Sequence, residues 1–167
     1  MYDVLDVSRY VINYSNEKGY GVSNLKLQKL LYFIQAYFLV VKKGRPCSDD
    51  TICFPQIIEA WDFGPVVPKA YHEFKIFGAS NIPYISNYIT VENRNGDIRF
   101  NKVLFSDNCI KIDDRKIIND VIDTFKDYSA ATLVELTHKQ RPWKDAYKRG
   151  RNSEITPVSI WSYFYNE

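Results

Sequence analysis

The sequence predicts a mainly α fold with a minor β component (α+β), a single-domain helical bundle around a buried central helix near residues 23–43, with a small β-hairpin near 84–105. Three observations predict it. Leu27, Leu30, Leu31, Ile34, Phe38 and Val41 form one helical stripe, and Phe33, Tyr37 and Val40 widen it around the cylinder, as in a helix enclosed on most sides. From Tyr84 to Phe105 the pattern changes to alternation, with Tyr88, Thr90 and Glu92 before Asn95-Gly96 and Ile98 and Phe100 after it, the signature of a tight hairpin. A chain of 167 residues with 46% apolar and 16% aromatic content has enough material for one packed core and is not disordered.

The remaining elements follow in order. Asp3 caps a short amphipathic first helix carrying Val4, Val7, Val11 and Tyr14, which Gly19 and Gly21 interrupt. Ser23 caps the central helix, and Gly44 after Lys42 and Lys43 closes it before a loop at Arg45-Pro46. Ile57, Ile58, Ala60 and Trp61 make a short apolar stretch, and Gly64-Pro65 is expected as a turn between two elements. A third helix is expected from Val66 to Phe77, with Pro68 in its first turn, Val67, Tyr71, Phe74 and Phe77 inward, and Gly78 as its stop. After the hairpin, Asp113 or Asp114 caps a fourth helix with Ile117, Ile118, Val121, Ile122 and Phe125. Ser129 caps a fifth with Leu133, Val134 and Leu136. Gln140-Arg141-Pro142 breaks that helix and starts a short one with Trp143, Ala146 and Tyr147, and Thr156-Pro157 opens the last, with Ile160, Trp161 and Phe164 docking on the bundle.

Chemistry is sparse. The formal balance of +2 is too small to imply nucleic acid or an anionic membrane as partner. The most apolar run, 30–41, is too short to span a bilayer, and no secretory signal opens the chain, so a cytoplasmic location is expected. Cys47, Cys53 and Cys109 then read as reduced thiols; Cys47 and Cys53 with the distant His72 are not spaced like a zinc site, and no metal or cofactor is expected. Motifs of the common hydrolases, zinc proteases, NTPases and dinucleotide enzymes are absent. His72 and His138 each fall in a helix among apolar residues, where a histidine is more often a hydrogen-bonded structural residue than a proton carrier. The most basic stretch, 139–151, interleaves Lys139, Arg141, Lys144, Lys148, Arg149 and Arg151 with Trp143 and Tyr147 and reads first as a solvated face.

Three segments, Leu25 to Ala36, Glu59 to Phe74 and Leu133 to Ala146, are together similar to the Panacea domain, the SocA-like antitoxin family that includes phage-associated GepA-like proteins. Leu25-Lys26-Leu27-Gln28-Lys29-Leu30-Leu31-Tyr32-Phe33-Ile34-Gln35-Ala36 resembles the family's "KLQKLLYYAQ" helix. Glu59-Ala60-Trp61-Asp62-Phe63-Gly64-Pro65-Val66-Val67-Pro68-Lys69-Ala70-Tyr71-His72-Glu73-Phe74 resembles "EAWxYGPVxPxVYxxF", with Phe63 in place of the usual Tyr. Leu133-Val134-Glu135-Leu136-Thr137-His138-Lys139-Gln140-Arg141-Pro142-Trp143-Lys144-Asp145-Ala146 resembles "LxxLTHxxxPWxxA". Order and spacing agree over nearly the whole chain, and the region 84–108 matches least.

The resemblance implies an antitoxin and no enzyme: a mainly helical domain on prophages and other mobile elements that neutralises a toxin encoded next door by direct contact. One relative also acts as an adaptor delivering its toxin to a ClpXP protease. Lys26, Gln28, Lys29, Trp61, Gly64, Pro65, Tyr71, His72, His138, Pro142 and Trp143 are the motif residues placed near a binding surface on this reading. Their structural alternative is packing, with Gly64-Pro65 fixing a turn, Trp61, Tyr71 and Trp143 as anchors seeking a hydrogen bond, and His72 and His138 joining a polar interior. Two other readings differ in class: a phage or host factor that is no toxin as partner, and an enzyme acting on a nucleotide or small molecule near Trp61, His72 and His138. Tyr163 and Tyr165 are further candidate interface anchors near the end of the chain.

Overall fold

The computed structural model describes residues 1–42 and 47–165. Its helices are α1 (Val4–Lys18), α2 (Asn24–Val41), α3 (Pro68–Phe74), α4 (Ile112–Thr124), α5 (Ala130–Lys139), α6 (Arg141–Arg149) and α7 (Pro157–Tyr165). Strands β1 (Ile58–Trp61), β2 (Gly64–Val66) and β5 (Ser153–Ile155) form one antiparallel sheet in the order β2-β1-β5, and β3 (Asn87–Arg94) pairs with β4 (Asp97–Leu104) in a separate hairpin. No helix among the described residues is long and apolar enough to cross a membrane.

The central helix is the axis of the fold. α2 packs against α1, α3, α4, α5, α7 and β2, so Leu27, Leu30, Leu31, Phe33, Ile34 and Phe38 are buried, whereas Tyr37, Val40 and Val41, expected in the same stripe, are exposed because no described element covers that side of its last turn. Gln35, which interrupts the apolar run, is itself buried and pins the loop beside it: its Oε1 accepts the Cys53 and Phe54 amides at 3.0 and 3.3 Å, and its Nε2 donates to the Phe54 carbonyl at 3.3 Å. A buried polar side chain survives in a core only when so satisfied. α1 starts at Asp3, whose carboxylate accepts the Leu5 amide at 2.8 Å, and ends at Gly19 with φ +72. It is neither short nor simply amphipathic: fifteen residues long, it buries Ser8, Arg9 and Asn13 beside Val4, Val7 and Val11, because it is sandwiched between α2, α3 and α4.

Several expectations need correction. Lys42, not Gly44, ends α2, while Lys43, Gly44, Arg45 and Pro46 lie outside the described residues. Gly64 and Pro65 are strand residues of β2; the chain reverses one step earlier, at Asp62 and Phe63, so that Trp61 faces Gly64 across the ladder. Val66 therefore belongs to β2, α3 begins at Pro68, and Lys75–Phe77 is a single 3-10 turn closed by Gly78. Neither Asp113 nor Asp114 caps α4: Lys111 occupies that position, and Asp114 is drawn inward to Tyr2 and Lys42, which pair with its carboxylate. Both acids still sit in the first turn, where the helix dipole favours them. Strand β5, from a segment with no periodic signal, closes the sheet against β1 through Ile58–Ile155 and Ala60–Ser153. Ser129 caps α5 and Asn95-Gly96 turns the hairpin with both φ values positive, as expected.

Candidate functional site

The three motif segments meet where α2, the β1–β2 turn and the α5–α6 corner converge. Gly64 takes φ +94, and a Cβ there would stand 2.7 Å from Thr137 Oγ1 and 3.1 Å from Lys29 Cε, so only glycine lets β2 lie between α2 and α5. Through that gap Lys29, fully buried, donates its Nζ proton to the Pro65 carbonyl at 2.8 Å. Burial alone pushes its ammonium down to about 7. His138 is half-buried beside it. Its imidazole is pushed down by burial first and by the Lys29 charge second, against a hydrogen bond with the Asp62 backbone.

A column of rings extends from there toward solvent. His138 stacks on Trp143 at 4.0 Å and Trp143 on Tyr147 at 4.7 Å, while Trp143 Nε1 donates to the Trp61 carbonyl at 3.0 Å. The tip of the β1–β2 turn is clamped by its own acid: the Tyr147 hydroxyl donates to Asp62 Oδ1 at 2.8 Å and Arg151 donates to both carboxylate oxygens. The Tyr147 hydrogen bond and Arg151 hold the Asp62 carboxyl below its ordinary value. With the turn fixed on one side, Phe63 projects from the other and is 68% exposed.

Beside Phe63 opens a cleft of about 620 Å³, walled by Trp61, Phe63 and Tyr71, with Gln28 at its base and Lys75 and Arg151 at its rim. Gln28 is buried and occupied: its Oε1 accepts the Val67 amide at 3.0 Å and its Nε2 donates to Asn24 Oδ1 at 2.9 Å, while Asn24 Nδ2 donates to the Tyr71 carbonyl at 3.1 Å. Trp61 meets Tyr71 edge to face at 4.9 Å and turns its indole N–H to Glu59 at 2.7 Å.

Lys29, Trp61, Gly64, Pro65, His138 and Trp143 are thus one cluster, with Gln28 and Tyr71 at the adjoining cleft and Pro142 buried in the first turn of α6. Lys26 is apart from it, its Nζ donating to the Lys126 carbonyl at 2.9 Å. His72 does not join the polar interior: Ala70 and Phe74 take the inward positions of α3, which turns His72 outward. Neither histidine lines the cleft, and among the described residues no group of three His, Cys, Asp or Glu could hold a metal. The basic stretch is partly neutralised, Arg151 by Asp62 and Arg141 by Asp145. Of the two tyrosines near the end, Tyr165 is exposed and Tyr163 only half so. Sequence reasoning missed Asp62, Thr137 and the clamping roles of Tyr147 and Arg151, since no local pattern joins a turn to side chains 85 and 89 residues away.

The family model described as antitoxin SocA-like, Panacea domain, matches residues 27–144. The chain belongs to this family. The match runs from α2 to the start of α6 and takes in the whole Lys29 cluster. Antitoxin SocA of Caulobacter vibrioides (strain NA1000 / CB15N) is 47% identical over 66 residues, 40% of this chain and 30% of that relative's length. The chain therefore aligns with less than a third of the curated relative. No solved structure matches it.

Proposed function

We propose that residues 1–167 act as one Panacea domain that neutralises a toxin by direct protein contact, with the toxin encoded by an adjacent gene. Family membership supports the antitoxin reading, and one observation carries the contact mechanism. Several polar groups of the shared segments are engaged within the protein, Lys29 with the Pro65 carbonyl, Gln28 with Val67 and Asn24, and Trp143 with the Trp61 carbonyl, while the buried His138 Nε2 and Gln140 Oε1 have no hydrogen bond among the described residues. Groups so occupied build a frame, and Lys29, although burial brings its ammonium to about 7, is wholly enclosed and reaches no substrate. α1 and α7 lie wholly outside the matched residues yet pack on α2, which supports a single unit.

On this reading the bound toxin is either occluded or handed to a ClpXP-type protease. Co-expression with the product of the adjacent gene tests it. Restored growth together with co-purification is expected; toxicity that this chain does not relieve, with no complex recovered, refutes it. The cleft beside Phe63 favours a second reading, binding of a small molecule against the contiguous Trp61 and Tyr71 rings and Phe63. Depletion of the toxin when protease is present, against intact toxin in a stable complex when it is absent, separates delivery from occlusion.

A further inference from the structure

The β3–β4 hairpin is built with its apolar face turned to solvent. In its register Val91 stands opposite Phe100, Asn93 opposite Ile98, Ile89 opposite Lys102 and Asn87 opposite Leu104, and directly opposed residues share a face. That face carries Ile89, Val91, Ile98, Phe100 and Leu104, each at least 58% exposed. The other face holds Glu92 opposite Arg99 and Arg94 opposite Asp97, so its charges are matched across the ladder. It is this second face whose base leans on the body, where Arg9 lies 3.5 Å over the Tyr88 ring and Tyr88, Thr90 and Val103 are half-buried. A shift of one residue in register would reverse the two faces, so the outward apolar set is a definite property of the pairing.

We propose that this face is the surface that the toxin covers, an inference that rests on the antitoxin reading above. Charge argues for a partner over a second copy of the chain, and area sets how far the occupant must reach. Eight residues per strand at about 3.4 Å, in two strands about 4.8 Å apart, give a face of about 260 Å². Two such faces packed together supply about a third of the roughly 800 Å² per partner that a stable complex needs. The occupant must reach past the face, and the hairpin offers it unpaired backbone along both outer edges, since its sheet has two strands only. Lys102 is the one charge on this face, and two copies packed face to face would cover two like charges with no acid on either face to pair them. The partner is therefore a protein that lays an apolar surface and a sheet edge against the hairpin, with an acidic side chain facing Lys102.

The test replaces Val91→Lys and Phe100→Glu together, an opposed pair whose new charges match across the ladder and leave the hairpin intact. With the co-expressed product of the adjacent gene as probe, the double variant is expected to melt as wild type does, bind about 30-fold or more weakly, and fail to restore growth. Lys102→Glu should weaken binding about tenfold, and Arg94→Gln on the opposite face should change nothing. Full binding and rescue by the double variant would overturn the hairpin as docking surface while the antitoxin reading stands. If wild-type protein neither binds nor rescues, both fall. A wild-type dimer in light scattering that the double variant turns into monomer would show that a second copy covers the face and would likewise overturn the proposal.

Discussion

Replacing Lys29→Met should abolish a pH dependence of stability that this one side chain imposes. In the unfolded chain the ammonium titrates near 10.5, and in the folded protein burial brings it down to about 7. Between those values the unfolded state binds the extra proton, so stability must rise with pH across the window and is lowest below it. Integrated from pH 7 to pH 9, one such group adds about 2 kcal/mol, equivalent to about 5 °C in the melting temperature of a domain of this size. The window starts at pH 7 because His138, with its imidazole pushed down by burial and by Lys29, contributes with the same sign below that. It stops at pH 9 because the fully buried Cys53 thiol, pushed up by burial, acts in the opposite direction above that. Methionine keeps the length of the side chain and removes the charge, and it leaves the Pro65 carbonyl without its donor, a cost of about 1–3 kcal/mol that is the same at every pH. The assay is thermal unfolding of wild type and variant at half-unit pH steps, read as a difference. A wild-type curve parallel to that of Lys29→Met, or one that falls between pH 7 and 9, would refute the assignment.

Two other substitutions examine the same cluster. Gly64→Ala forces a side chain into a left-handed backbone position and against Thr137 and Lys29, and should cost about 2–4 kcal/mol in chemical denaturation. Trp143→Phe keeps the stack between His138 and Tyr147 but removes the donor to the Trp61 carbonyl, so a loss of about 1–2 kcal/mol is expected, with near-ultraviolet circular dichroism confirming that the ring column persists.

The sequence by itself determined the pieces whose physics is local. The stripe through Leu27 and Phe38 marked α2 as the enclosed axis, Asp3, Ser23 and Ser129 marked three helix starts through their caps, and Asn95-Gly96 marked the hairpin turn. Periodicity and capping act over a few residues, so they can be read from neighbours in the chain. The motif segments, far apart in the chain, do come together, with Lys29, Gly64, His138 and Trp143 in one cluster. What joins them was decided by tertiary structure. The pairing of Ile58 with Ile155, the Asp62 clamp made by Tyr147 and Arg151, and the capture of Asp114 by Lys42 and Tyr2 link residues far apart in sequence, which no local pattern announces. Alternation in 84–105 established a two-faced hairpin without saying which face the body would meet. Only the packing of Tyr88 beneath Arg9 settled that the apolar face looks outward, because burial of a face depends on what lies across from it and not on the strand alone.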